Sequence, residues 1–188
     1  MNKEFILFDT EYTCWEGSME RKWSGNNEFR EIIQISALKI DKNLNIIDRF
    51  NLMVKPTFNP ILSQYCINLT HLNTDDVLNG KSYKDMLRKF EVFNDSGHIK
   101  SWSWGNDIHV MIENNTLNNT TQQRVDSFFD LSEVFKLENI DTGNSSSGEL
   151  ASYLGIDVSG HVHNAEFDTL SLFKSVELHK KNILKHLF

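Results

Sequence analysis

Phe5-Ile6-Leu7-Phe8 is an unbroken apolar run that ends in Asp9, the pattern of a strand buried on both faces at the centre of a sheet. From residue 12 to residue 30 the pattern dissolves into polar side chains mixed with Trp15, Gly17, Trp23 and Gly25, which predicts a long loop. Apolar residues return over Ile32–Leu38, turn at Asp41-Lys42-Asn43 and resume from Ile46 to Val54, predicting a hairpin that Pro56 and Pro60 close off. Helical spacing follows. Leu62 to Leu69 predicts a short helix, Thr74-Asp75-Asp76 caps a turn into Val77-Leu78, and Ser82 caps a segment whose Met86, Leu87, Phe90 and Phe93 recur at helical intervals.

Ile99–Trp104 predicts a fourth strand broken by Gly105, then a helix from Asp107 to Glu113 and a polar loop over 114–123. Val125–Leu131 predicts a fifth strand, and Ser132 starts a short helix. Gly143 to Gly148 is a loop before a helix over Glu149–Leu154. A final helix spans about Asn164 to Lys181, with Leu170, Phe173 and Leu178 as its core positions. Trp102 and Trp104 share a strand face and are expected in the core. A hairpin followed by alternating helices and strands predicts one α/β domain over residues 1–188, with a five-stranded mixed sheet and helices on its faces.

Composition narrows the function. The chain has 188 residues, 39% hydrophobic and 24% charged, which fits a globular domain with a core of its own. Its net charge of −7 excludes a broad duplex-coating role, because such binding is mostly phosphate neutralisation. Local binding of nucleic acid stays open where a divalent metal supplies the positive charge. The two cysteines, Cys14 and Cys66, have no metal-site spacing and are expected to be reduced thiols. The apolar run after Met1-Asn2-Lys3-Glu4 is too short for a signal or a span. A cytoplasmic protein with no membrane association is expected.

The chemistry-bearing residues sit at element ends. Asp9 and Glu11, two apart on a strand, project together, a costly arrangement for two carboxylates without a cation between them. Asp107 follows another apolar strand, and Asp168 lies at the start of the last helix. Hard oxygen ligands from separate elements suit Mg²⁺ or Mn²⁺ rather than zinc. Two such ions can activate water and stabilise the leaving oxygen of a phosphodiester. His163, just before the helix that bears Asp168, can accept a proton near neutral pH. His161 is two positions out of that register. No Gly-rich phosphate loop of the P-loop type supports a phosphotransferase.

Asp9-x-Glu11, Asp107 and His163-x-Ala165-x-x-Asp168, in this order and spacing, resemble the three blocks of the DEDDh 3′–5′ exonucleases, and among them the Eri-like, inhibitor-of-KinA-pathway-like branch. The similarity spans about Phe5 to Lys180. It includes Glu31 to Ala37 as the family's second strand and Leu62 to Leu72 as the segment bordering the terminal nucleotide. His71 departs from a frequent family glycine, and the loop after Glu11 is longer than in proofreading subunits.

The resemblance implies a ribonuclease-H-like three-layer α/β/α fold and a two-metal, metal-dependent 3′–5′ exonuclease. It would release nucleoside 5′-monophosphates from single-stranded nucleic acid, with RNA favoured and DNA possible. Asp9 would bridge both metals, Glu11 and Asp168 would hold the one that carries the attacking water, Asp107 would support the second, and His163 would be the general base. Thr10, Tyr12, Trp15, Arg21, Thr70 and Leu72 are candidate substrate contacts. Aromatic rings there would stack on bases and basic groups would meet phosphates. The alternative is a catalytically inactive relative that binds nucleic acid or protein; all five candidate catalytic residues are nevertheless present.

Overall fold

Alternation along the first apolar run builds the centre of the molecule in the computed structural model, which describes residues 4–120 and 125–188. Strand β1 (Glu4–Tyr12) is buried along nearly all its length. Ile6 and Phe8 point into one core cluster, whereas Phe5 and Leu7 point into another. β2 (Ile32–Asp41) and β3 (Ile46–Lys55) form the antiparallel hairpin expected. β2 also pairs antiparallel with β1, with a register irregularity between Glu11 and Tyr12 at the strand's functional end.

The chain then runs through α1 (Gln64–Thr70), α2 (Thr74–Leu78), β4 (Lys81–Ser82) and α3 (Tyr83–Phe93). β5 (Ser101–Ser103) follows, then α4 (Asp107–Leu117), a 3₁₀ turn (Val125–Ser127) and β6 (Phe128–Asp130). The helices α5 (Leu131–Leu137), α6 (Ser147–Tyr153), α7 (Ala165–Leu178) and α8 (Lys180–Leu187) complete it. The sheet order is β4-β3-β2-β1-β5-β6, with β5 parallel to β1 and β6 parallel to β5. Side chains of α3 and α4 pack with Ile6 and Phe8 on one face, and those of α5, α7 and α8 with Phe5 and Leu7 on the other. The result is a ribonuclease-H-like α/β/α sandwich.

Several expectations are corrected. The sheet has six strands, not five, among the described residues. The addition, β4, pairs with β3 over two residues, too few for any alternation to register in sequence. Gly80 permits the approach, since a Cβ there would lie 2.6 Å from the Met53 carbonyl oxygen. The ladder of the fourth expected strand is confined to Ser101–Ser103, and that of the fifth to Phe128–Asp130 after the 3₁₀ turn.

The polar stretch 114–123 begins as helix, because Asn114 is fully employed inside the fold. Its Oδ1 accepts from Ile32 N–H at 3.0 Å, and its amide donates to the carbonyls of Arg30 and Val110 at 2.9 Å. Residues 121–124 of that expected loop lie outside the described residues. The final helix divides at His179 into α7 and α8. Leu178 is 54% exposed rather than core, since α7 ends there and Ile183 and Leu187 of α8 take the burial instead. Trp102 is buried, and Trp104 is half-buried with its indole N–H on the Ser145 carbonyl at 3.0 Å. No helix among the described residues is long and apolar enough to cross a membrane.

Candidate active site

The two-residue period of β1 sorts its last residues between two helices. Asp9 and Glu11 continue the Phe5 and Leu7 face, towards α7, while Thr10 continues the Ile6 and Phe8 face, towards α4. α7 is seated on the sheet by hydrogen bonds to β2 and β3: Ala165 N–H donates to Gln34 Oε1 at 3.1 Å, the Asn51 amide donates to Glu166 Oε2 at 2.9 Å, and the Thr169 hydroxyl, bonded chiefly to the Ala165 carbonyl, also lies 3.3 Å from the Ser36 carbonyl. Asn164 caps the helix by accepting from Glu166 N–H at 3.1 Å. Asp168, in the first turn, is thereby brought to β1. Ligand oxygens of Asp9, Glu11 and Asp168 lie within 4.8 Å of one another, and all three residues are buried.

Asp107 stands on the other side of β1. Its Oδ1 accepts from the Thr10 N–H at 3.2 Å and from the Thr10 hydroxyl at 2.5 Å, so it borders the three-carboxylate cluster without joining it.

Burial raises all four carboxyls above their ordinary values. For Asp9 and Glu11 desolvation leads, and the neighbouring carboxylates, Asp107 and Asp168 foremost, add to it. Asp107 and Asp168 are both pushed up to about 7, chiefly by desolvation. The bonds from Thr10 oppose this at Asp107, and the backbone of His163 and the Ser147 hydroxyl oppose it at Asp168. Asp168 Oδ1 is buried with no hydrogen-bond partner among the described residues. Gly148 of α6 leaves room for that oxygen: a Cβ there would lie 2.3 Å from it. Three buried carboxylates this close together fit a hard divalent cation, which would offset their mutual repulsion.

His163 lines the same cleft in a left-handed conformation, φ 69°. Burial holds its imidazole below the ordinary histidine range, with Glu149 opposing that shift and His161 adding to it. A ring kept neutral in this way can accept a proton. The cleft, about 290 Å³, also presents Thr10, Tyr12, Met19, Trp23, Tyr65, Leu69 and Trp104. One wall comes from α1 and the other from the loop after Glu11.

That loop is pinned rather than loose: Trp23 donates its indole N–H to the Thr13 carbonyl at 2.9 Å, and Arg30 lies 4.7 Å over the Trp23 ring. Of the expected substrate contacts, Thr10 and Tyr12 line the cleft. Arg21 is instead committed to Glu28 and to the Glu16 carbonyl. The backbone N–H of Trp15 closes a turn onto Ser18, and its ring is not among the cleft walls.

Thr70 and Leu72 are corrected outright. Thr70 is buried, donating to the Cys66 carbonyl at 2.9 Å, and Leu72 is buried in a cluster beneath α1. Thr70 lies on the side of α1 that is buried with Cys66, and Leu72, two residues past the helix, packs with Ile33, Leu62 and Val77. Glu31 is a buried carboxylate with a structural task, accepting from the backbone N–H groups of Thr57, Phe58 and Asn59. Sequence reasoning missed Ser147 and Gly148, which carry no signal beyond a Ser- and Gly-rich loop; Tyr65 and Leu69 fall within the Leu62–Leu72 segment expected to border the terminal nucleotide, and they with Met19 of the loop after Glu11 are the side chains that line the cleft.

The family model described as Exonuclease (RNase_T) matches residues 6–175. The Bacillus subtilis protein named probable 3′–5′ exonuclease KapD is 28% identical over 185 residues, covering 96% of this chain and 87% of that protein. The 3′–5′ exonuclease eri1 of Schizosaccharomyces pombe is 34% identical over 89 residues, 47% of this chain and 28% of that protein. Among solved structures, the nuclease domain of 3′hExo, a DEDDh family member bound to rAMP, superposes with a TM-score of 0.79 at 19% identity, covering 97% of this chain and 94% of that one. E. coli Exonuclease I in complex with a dT13 oligonucleotide gives 0.69 at 15% identity, covering 96% and 42%. With the family model matched over most of the chain and the acidic residues and histidine gathered in one cleft, the chain belongs to the DEDDh family of 3′–5′ exonucleases.

Proposed function

We propose that residues 1–188 act as one metal-dependent exonuclease domain that removes nucleoside 5′-monophosphates from single-stranded or frayed 3′ ends, RNA ahead of DNA. The observation that carries this reading is the convergence of ligand oxygens of the buried Asp9, Glu11 and Asp168 within 4.8 Å of one another. Members of the family are divalent-metal dependent. Two Mg²⁺ or Mn²⁺ ions supply the charge that activates water and stabilises the leaving oxygen.

In this reading Asp9 would be shared between the ions, Glu11 and Asp168 would help hold one, and Asp107 would support the other from its place on Thr10. His163 accepts the proton of the attacking water; four carboxylates already suit hard cations, which prefer oxygen to imidazole. Tyr65 and Leu69 on one side and Met19 and Trp23 on the other border the terminal nucleotide. The order RNA before DNA rests on the similarity to eri1 and to the rAMP-bound nuclease domain, and DNA stays possible through the likeness to the dT13 complex. Two free cysteines fit a reducing compartment, the cytoplasm.

The test is digestion of end-labelled RNA and DNA of matched sequence, single- and double-stranded, with Mn²⁺ or Mg²⁺. Stepwise release of 5′-monophosphates is expected, blocked or slowed by a 3′-terminal phosphate and indifferent to a 5′ phosphate. Cleavage of circular single strands at the same rate would mean an endonuclease. Binding without hydrolysis would leave the inactive-relative reading.

A further inference from the structure

We propose that His71 and His161 form a clasp across the rim of the cleft that positions His163, an inference that rests on the exonuclease reading above. Their rings lie face to face, with centroids 3.5 Å apart and planes 6° apart. His161 Nε2 is 3.0 Å from the Leu69 carbonyl oxygen and, as the protonated nitrogen, donates to it. His161 therefore joins the C-terminal end of α1 twice, through a ring and through a carbonyl, while it sits two residues before His163.

His71 occupies a place that chemistry would otherwise give to glycine. It ends α1 at φ 57° and ψ 16°, where its N–H bonds to the Ile67 carbonyl. The left-handed helix cap favours glycine because a β-carbon crowds the following carbonyl. A histidine here is disfavoured by its backbone, and the stack on His161 is the contact that gives its ring a task.

The loop it reaches is also strained. His163 itself has φ 69°, which a non-glycine residue keeps only when its surroundings over-determine it. On the α7 side the constraint is plain: Asn164 caps the helix, and Gly160 lies so close to Phe167 that a Cβ would meet its ring at 2.1 Å. On the far side, towards α1, the His71–His161 stack holds the loop. Leu69, whose carbonyl His161 grips, lines the cleft together with His163. The clasp thus fixes the distance between the α1 wall and the imidazole. His71 and His161 act through His163 and are positioning residues.

The experiment compares the parent with His71→Gly, His71→Phe and His161→Ala by two readouts. One is amide hydrogen exchange over residues 160–164; the other is kcat and KM for the Mn²⁺-supported hydrolysis of the p-nitrophenyl ester of thymidine 5′-monophosphate. Glycine suits φ 57° better than histidine, so His71→Gly should melt at or above the parent temperature, which separates positioning from folding. Exchange in the loop should accelerate roughly tenfold in His71→Gly and His161→Ala. In both, kcat should fall about tenfold with KM held within about twofold, the pattern of a displaced catalytic group.

His71→Phe, which keeps a flat ring over His161, should restore both exchange and kcat. Unchanged exchange in His71→Gly and His161→Ala overturns the clasp whatever the activity. Accelerated exchange with unchanged kcat overturns the positioning role. A parent that hydrolyses neither the ester nor oligonucleotides, while its loop still responds to His71→Gly, would sink the exonuclease reading and leave the clasp standing.

Discussion

Asp9 is the residue at which burial and charge conflict most directly. Desolvation and three neighbouring carboxylates all favour its protonated form, so its ionised form weakens the metal-free fold. Asp9→Asn should therefore raise the melting temperature of the metal-free protein by a few degrees, at about 2–4 °C per kcal/mol for a chain of this size. The same change should abolish both hydrolysis and the stabilisation that Mn²⁺ gives the parent. Calorimetry with and without Mn²⁺ checks this; a variant still stabilised by Mn²⁺ would refute the assigned ligand.

His163 is a different kind of residue, needed for rate and not for binding. His163→Ala should lose on the order of 10²–10⁴ in kcat, the usual contribution of a general base, while Mn²⁺ and oligonucleotide binding persist. Loss of Mn²⁺ binding in that variant would make His163 a ligand. His161, which its register alone suggests is idle, is tied to Leu69 and His71 in the fold.

At the scale of elements, the site depends on how closely α6 approaches α7. Gly148 allows the contact, because a Cβ there would lie 2.3 Å from Asp168 Oδ1 and 2.9 Å from Val162 Cγ1. Gly148→Ala must push Asp168 or α6 aside. Helix propensity alone would favour alanine by about 1 kcal/mol, so a lower melting temperature together with weaker Mn²⁺ affinity is the signature of the steric effect. An unchanged Mn²⁺ titration would show that the two helices separate without disturbing the carboxylate. The sequence announces α6 as a helix, but nothing in it says that a carboxylate of another helix abuts its second residue.

At the scale of the whole molecule, Glu138 joins α5 to α8, where the C-terminal segment closes over the core. It accepts from His186 Nε2 at 2.7 Å, Lys185 Nζ at 2.9 Å and Asn182 at 3.3 Å. These partners, His186 and Lys185 first, hold its carboxyl down at about 2. A folded pKa below the unfolded value of about 4.3 means that its contribution is present above that value and is lost as pH falls through about 2. Glu138→Gln should lower the melting temperature at pH 7, and its gap from the parent should narrow between about pH 4 and pH 2. Melting curves across that range decide it; a gap independent of pH would mean that shape, not charge, is what Glu138 supplies.

The sequence by itself determined the central strand, the hairpin, most helices and the order of the acidic blocks. Each of these is written in local alternation, helical spacing or fixed offsets, which survive without knowledge of neighbours. Asp9, Glu11 and Asp168 were legible together because β1 and the first turn of α7 each present their carboxylates by local geometry. Three-dimensional packing decided the rest. β4 exists because β3 lies beside it, and Asn114 is buried because Arg30, Val110 and the N–H of Ile32 satisfy it. Thr70 is buried on the inner side of α1 and Leu72 packs just beyond its end with Ile33 and Val77, although their place in the matching block suggests contact with substrate. Asp107 lines the same cleft as Asp9, and only packing reveals that Thr10, on the opposite face of β1, is what holds it there. The stacking of His71 on His161 joins residues 90 positions apart, and no period of two or 3.6 can encode such a meeting.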